Sequence, residues 1–484
     1  MSLSRRQLLV GGTSAVLVTA ALGREARAVA APQAAFSVPR SAEVDLIDHV
    51  LARAGFGAAP GDRERARALA PTTDEAVDRW IEQQLAPGDE EPELRRSLGR
   101  LESLEQPLGE LYEWKPEVLL RELSSAALLR AVTSRWQLRE VMVEFWSDHL
   151  NIDASKGECA WLKPADDREV IRRHALGRFR DLIAASALSP AMLWYLDGRT
   201  NRRAAAGERP NENYARELLE LHTLGVEGGY TQTDVMEAAR CLTGWTVRDR
   251  HRFRKGRVEL DAALHDDGEK HVLGRRIPAG GGAQDLEALL DLVTSHPATA
   301  RHVSTKLCRR FISDAPPASA VEAVATAFRT SGGDVPTTLR AVLRTEAFRA
   351  PETRRAKLKR PFQLVASALR ATGARTVGGA PLLEHLRHMG QSPFQYPTPE
   401  GAPDVRPAWT GTLLWRWRLA MALEQGEVTG TQIDVPRLVV RAGGIESLAA
   451  HLLGRTPDAA ERVALASSPR PLALLLASPA FQRC

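Results

Sequence analysis

The sequence is poor in cysteine. Cys159, Cys241, Cys308 and Cys484 are its only four among 484 residues, and they stand far apart with no C-x-x-C pair. That spacing suggests neither a zinc knuckle nor a dithiol couple, and leaves all three disulfide pairings open in an oxidising compartment. Motifs that would announce a chemistry are also missing, since there is no G-x-S-x-G elbow, H-E-x-x-H pair or phosphate loop. The glycines at Gly280 to Gly282 follow no strand and have no lysine at phosphate-loop spacing. Charge of one sign is lacking too, with 65 basic against 60 acidic residues.

What is present begins at the N terminus. Ser4-Arg5-Arg6-Gln7-Leu8-Leu9 precedes an apolar, small-residue run from Val10 to Leu22, and Ala26-Arg27-Ala28 follows as an A-x-A cleavage site. This is the pattern of a twin-arginine export signal over residues 1–28, and the run is too short to span a bilayer. The expected location is periplasmic or extracellular, with no integral membrane segment once the signal is removed. Cleavage takes away four arginines and Glu25, which leaves the mature chain at +2. A nucleic-acid partner therefore lacks its usual electrostatic footprint.

The rest reads as mainly α: one multi-helical globular domain over 41–484, with a small β-hairpin insertion at 250–278 and an irregular proline-rich loop at 390–408. VDLIDHVLARAGFG, from Val44 to Gly57, is a short amphipathic helix ending in a glycine turn. Ser134 to Asn151 is expected to open on a Ser134/Gln137 capping box and to bury Leu138, Val141, Met142, Phe145 and His149 on one stripe. Thr231 with Asp234 starts a helix to Leu242, stopped by Gly244. From Pro297, Ala300, Val303, Leu307, Cys308 and Phe311 form a stripe, while Arg301, Lys306, Arg309 and Arg310 are expected to face outward or line a basic groove. A run of Arg354, Arg355, Lys357, Lys359 and Arg360 reads as a solvated face, with an anion-binding role as the alternative, leading to a helix from Pro361 to Thr372. Prolines recur from Met389 to Trp409, so that stretch is a loop, packed across the surface by Phe394, Tyr396 and Trp409.

The densest set of ionisable groups is PNENYARELLELHTLG, Pro210 to Gly225. Asn211 is the expected N-cap of a helix of about four turns, and Gly225 its left-handed stop. At 100° per residue, Tyr214, Leu218 and Leu221 form an apolar arc with Ala215 and His222 at its edge. Glu212, Asn213, Arg216, Glu217 and Glu220 share the other side, either as a solvated ion-paired face or as part of a site. The candidate catalytic residues are Glu217, Glu220, His222, His149 and Asn213. His265 and Asp266, in a turn rich in ligand-type side chains, are the candidate metal residues, with a solvated turn as the alternative.

Several segments together resemble one bacterial domain-of-unknown-function family, numbered 1800. They are HVLARAGFG, EFWSDHLNI, NENYARELLELHTLGVEGGYTQTDV with CLTGWTV, HDDGEKHVLG, HPATARHVSTKLCRRF, MGQSPF and SPAFQ, spanning most of 49–482. The resemblance implies exported, mainly helical proteins, often with a twin-arginine signal, whose genes commonly lie beside exported proteins of a family numbered 1501 that resembles sulfatases and phosphatases. It offers no accepted catalytic residues. After MGQSPF a P-N-x-x-G-W-like element would be expected, and TPEGAPDVRPAW stands instead. Two functions follow as expectations: an accessory protein working with a companion exported enzyme at the cell envelope, or a secreted hydrolase, metal-assisted or not, acting on an envelope or extracellular polymer.

Overall fold

The structure, a computed structural model, describes residues 37–205, 208–248 and 255–484. The export signal lies outside the described residues, as do positions 249–254 at the start of the expected insertion. Residues 35–484 form one unit, in which helices pack on helices and only short strands intervene. No helix among the described residues is long and apolar enough to cross a membrane.

One helix buried at every position is the last one a charge count would select. Pro361–Thr372 follows the basic run and is buried on every side, as expected of a helix whose apolar residues are not confined to one stripe. Gly373 ends it in the left-handed region, as its sequence predicts. Around it, helix α1 (Pro116–Thr133) and helix α2 (Gln137–His149) form one wall. On α2 the expected stripe is buried. The capping box is not formed, because Ser134 Oγ accepts from the Trp136 amide while the Gln137 amide group donates to Ser134 O at 2.8 Å.

Helix α3 (Asn213–Glu217) continues directly into a π-helical stretch, Leu218–Thr223. Thr223 Oγ1 donates to Leu218 O at 2.6 Å, five residues back, which fits the wider turn. The buried pairs then recur every fourth residue as Tyr214/Ala215, Leu218/Leu219 and His222/Thr223. Leu219 thus takes the core place expected for Leu221. Gly225 is left-handed at φ 86°, and a Cβ there would meet His302 Nδ1 at 2.7 Å. Helix α4 (Gln232–Cys241) opens on the predicted Thr231/Asp234 capping box and packs against α3.

In place of one hairpin within 250–278 there are two short ladders, the first of which has its opening strand before the insertion. β1 (Trp245–Val247) pairs antiparallel with β2 (Val258–Leu260), and β3 (Lys270–Val272) with β4 (Arg275–Ile277). Helix α5 (Pro297–Phe311) buries the expected stripe, but Arg310 turns inward and is also buried. Helix α6 is the central Pro361–Thr372. Lys357, Lys359 and Arg360 just before it are all buried, which corrects the reading of that run as a solvated face. Helix α7 (Ala380–His388), helix α8 (Leu413–Gln425) and helix α9 (Pro471–Ala477) complete the side that carries the proline-rich loop.

Candidate functional site

The helix α3 and its π extension form a partition. On the outer side Arg216 pairs with Glu212 at 2.9 Å and also meets Gln232, and Tyr230 OH donates to Glu220 at 3.3 Å. Asn213 Nδ2 donates to Leu196 O at 3.1 Å. Glu217 is half-buried with no hydrogen bond or ion pair among the described residues, and burial together with Glu220 raises its pKa against the pull of Arg216. The inner side carries His222.

The candidate histidines meet there. His149 and His222 have ring centroids 6.3 Å apart, and His302 of α5 lies 6.1 Å from His149. Carbonyls at the end of a helix lack partners within it. His149 Nε2 donates to His222 O at 3.0 Å and His302 Nε2 to Leu221 O at 3.1 Å. His149 Nδ1 and His222 Nε2 are buried without a partner. Burial, with Lys306 adding repulsion, lowers the pKa of His222 to about 3 and of His302 to about 4, and holds His149 well below its ordinary value. Burial also lowers Lys306 to about 8, against the pull of Asp148 and Glu400. The three imidazoles are thus neutral, with His149 and His222 buried and His302 half-buried. The structure therefore places His149 and His222 together, and Asn213, Glu217 and Glu220 on the opposite side of the same helix.

A second arrangement was not anticipated. Arg360, entering the central helix α6, forms an ion pair with Glu144 at 2.7 Å and donates to Asp148 at 2.5 Å, one turn apart on α2. Arg310 reaches Glu144 at 3.1 Å from α5, and Lys357 bridges Asp314 at 2.8 Å and Asp404 at 3.2 Å. One turn earlier on α2, Glu140 takes Arg172 in a two-pronged pair of 2.7 and 3.0 Å. Arg172 comes from another π-helical stretch, Asp167–Arg172, which follows Pro164 inside its helix. Asp148, adjacent to His149, is thus turned away from it and engaged by Arg360.

The proline-rich loop lies over this network. Asn151 Nδ2 donates to Tyr396 O and Thr398 O at 2.9 and 2.7 Å, and Tyr195 OH to Pro397 O at 3.2 Å. At Gly401 the loop backbone runs against α2 so closely that a Cβ would fall 2.1 Å from Asp148 O. Only glycine fits there. Beneath the loop is a cavity of about 70 Å³, with Ser147, Glu144 and Asp148 of α2 on one side and Phe362, Phe394 and Tyr396 on the other. Ser147 Oγ is buried there without a partner. The loop expected to pack across the surface thus roofs a small cavity that has one free hydroxyl and whose neighbouring charges are neutralised by one another.

His265 and Asp266 are used inside the protein. His265 is buried rather than solvated, with Nε2 3.0 Å from Asp285 Oδ2 and Nδ1 donating to Thr243 O at 2.8 Å. Asp266 pairs with Arg240 at 2.8 Å, and buried Lys270 bonds Asp285 from the other direction. Among the described residues no group of three or more His, Cys, Asp and Glu is arranged to hold a metal ion.

Comparison with known proteins fits this geometry to a family. Residues 49–483 match a family model described as a protein of unknown function, DUF1800. The chain belongs to that family. No curated protein and no solved structure matches it. The DUF1800 match takes in every residue of the partition, the ionic network and the roofed cavity. Of the groups that the sequence did not single out, Glu144 lies in the EFWSDHLNI segment and His302 in HPATARHVSTKLCRRF, which also holds Arg310, read as facing outward or lining a groove. Their positions in quoted motifs were a signal. Arg360 was read only as one of a basic run, since its carboxylate partners on α2 lie more than 200 positions away.

Proposed function

We propose that this DUF1800 protein is a non-catalytic accessory protein, exported by the twin-arginine route, which works at the cell envelope with a companion exported enzyme of the sulfatase- and phosphatase-like family numbered 1501. The observation that carries this reading is the partition. Glu217 and Glu220 lie across a helix from His149 and His222, so a single substrate would not meet a carboxylate and an imidazole of this set. The interior carboxylates Glu140, Glu144 and Asp148 are each bound by an arginine. Groups so committed hold a fold together, and they are poorly placed to transfer protons.

Glu217→Gln separates this reading from the hydrolase alternative. Glutamine keeps the shape and removes a charge that burial already disfavours, so the thermal midpoint is expected to stay unchanged or to rise. The variant is expected to bind and stimulate the companion enzyme as the parent does, measured by titration calorimetry and companion turnover. Loss of an intrinsic hydrolytic activity in Glu217→Gln, with the fold intact, would decide for the hydrolase. The compartment has its own test. Changing Arg5 and Arg6 to lysine is expected to leave full-length precursor inside the cell, followed by fractionation and immunoblotting, and normal secretion of that double variant would remove the export reading.

A further inference from the structure

Helix α8 is inside out. One of its two arginines, Arg416, faces inward and is buried, donating to Gln482 Oε1 at 2.7 Å, Lys359 O at 2.8 Å and Thr412 Oγ1 at 2.8 Å. Its large apolar residues at the N-terminal end face out, with Leu413 63% exposed, Leu414 59% and Trp417 46%. Leu414, Trp417, Arg418 and Met421 fall at i, i+3, i+4 and i+7, which is one stripe along the helix. The inner face is also apolar, through Leu419, Ala420 and Leu423. A helix apolar on both sides, with one side unburied, presents a surface for something else.

The charges around that stripe indicate what it meets. From Val405 to Leu423 the sequence contains three arginines, three tryptophans and no acidic residue. Arg406 and Arg418 are exposed, and Arg418 lies over the Trp415 ring at 4.5 Å while Trp415 stacks on His388 at 3.9 Å. The nearby carboxylates are committed. Glu384 of α7 is held by Arg387 and His388, and Glu424 accepts from the backbone amides of Leu472 and Ala473 at 3.3 and 2.9 Å. Glu424 also sits at the far end of α8, roughly 15 Å from Leu414 at the helical rise per residue. A second copy of the chain would bring these arginines against each other. Exposed leucine and tryptophan tips flanked by cations and free of acids fit an anionic lipid surface, where the apolar tips enter the headgroup boundary and the guanidinium groups meet phosphate.

We propose that the N-terminal half of α8, with Arg406 and Arg418 at its flanks, is a docking surface for the anionic headgroup layer of a membrane. The surface is already assembled in the folded chain. Binding is reversible and salt-sensitive, because it rests on a few side chains. The proposal is independent of the accessory role, since it needs only the purified chain and lipid.

The test is flotation of the full chain with vesicles of phosphatidylcholine alone or with one-third phosphatidylglycerol, at low and high salt. Binding to the anionic vesicles is expected to exceed binding to the neutral ones by roughly tenfold or more, the preference that two surface cations supply. The double variant Leu414→Glu/Trp417→Glu, whose sites are exposed and whose fold is checked by circular dichroism, is expected to lose most of that binding. Arg406→Gln/Arg418→Gln is expected to erase the preference for anionic lipid. Brominated lipid is expected to quench a component of the tryptophan fluorescence that is absent in Trp417→Phe. That readout distinguishes α8 from the apolar run at Val10 to Leu22, which all the variants share. Equal affinity for neutral vesicles overturns the proposal, as does undiminished binding by the double variant. Absence of vesicle binding, with this face instead closing a dimer or a complex with another protein, also overturns it.

Discussion

Replacing Arg360 with methionine is expected to cost about 3–5 kcal/mol of folding stability, the usual result of removing one partner from a buried ionic cluster. Methionine matches much of the arginine stem, so the loss is electrostatic rather than a cavity effect. Burial disfavours the Arg360 charge, yet Glu144, Asp148 and Asp404 raise its pKa above the ordinary value, so it is always protonated in the native protein. Without it, Asp148 has no cation bonded to it, and Glu144 retains only Arg310 at 3.1 Å. The loop is affected too, because Arg360 also donates to Ala402 O at 3.4 Å next to Gly401. Urea unfolding of Arg360→Met is compared with Arg301→Met, which breaks the exposed pair with Glu322 and is expected to change stability by less than about 1 kcal/mol. Equal, small effects from both would mean that the Arg360 network carries no stability.

Periodicity made the helices legible. The stripes of α2 and α5, the Thr231/Asp234 box and the Gly373 stop are where the spacing puts them, because local geometry alone decides such features. The π stretch was not legible, since nothing in LLELHT departs from a 3.6-residue pattern strongly enough to exchange Leu221 for Leu219 in the core. Charged residues were the larger source of difference. Lys357, Lys359, Arg360, Arg310 and Arg416 look like surface residues in sequence, and each is buried against groups that, apart from Ser367 beside Lys359 and Thr412 beside Arg416, come from distant segments. Glu144 with Arg360, Lys357 with Asp404 and Arg416 with Gln482 are pairings that no window of the chain contains. The same long-range packing separated the candidate site. His149 and His222 were correctly placed toward the interior by their stripes, but the position of Glu217 relative to them depended on which way a polar face turned.

The buried histidines lead to the other large expected effect, a steep loss of stability in mild acid. His49, His149, His222 and His451 are each almost wholly buried, and burial is the largest cause of a lowered pKa in all four, to about 3 for His222 and His451. In the unfolded chain each takes a proton near its ordinary value of about 6.5. Because the native values are depressed, this stability is fully present above about pH 6.5 and is lost as pH falls toward the native values. In that range the unfolded state binds more protons than the native state. Once the pH is well below 6.5 each such group removes up to about 1.4 kcal/mol per pH unit, so His222 and His451, whose native values lie near 3, together remove on the order of 3 kcal/mol between pH 6.5 and pH 5, and His49 and His149 act in the same direction. That is a sizeable part of the stability of an ordinary domain, so a marked loss is expected in mild acid, offset in part by Asp48, Asp148 and Asp167, whose pKa values burial raises. The slope of unfolding free energy against pH, from urea titrations between pH 5 and 7, counts these protons directly. His222→Leu, at a ring whose Nε2 has no partner, is expected to lower that count by about one while leaving the fold at pH 7 intact. A chain whose stability is flat from pH 7 to pH 5 would show that these rings accept protons in the native state, through water or a moving helix that opens the interior at α3.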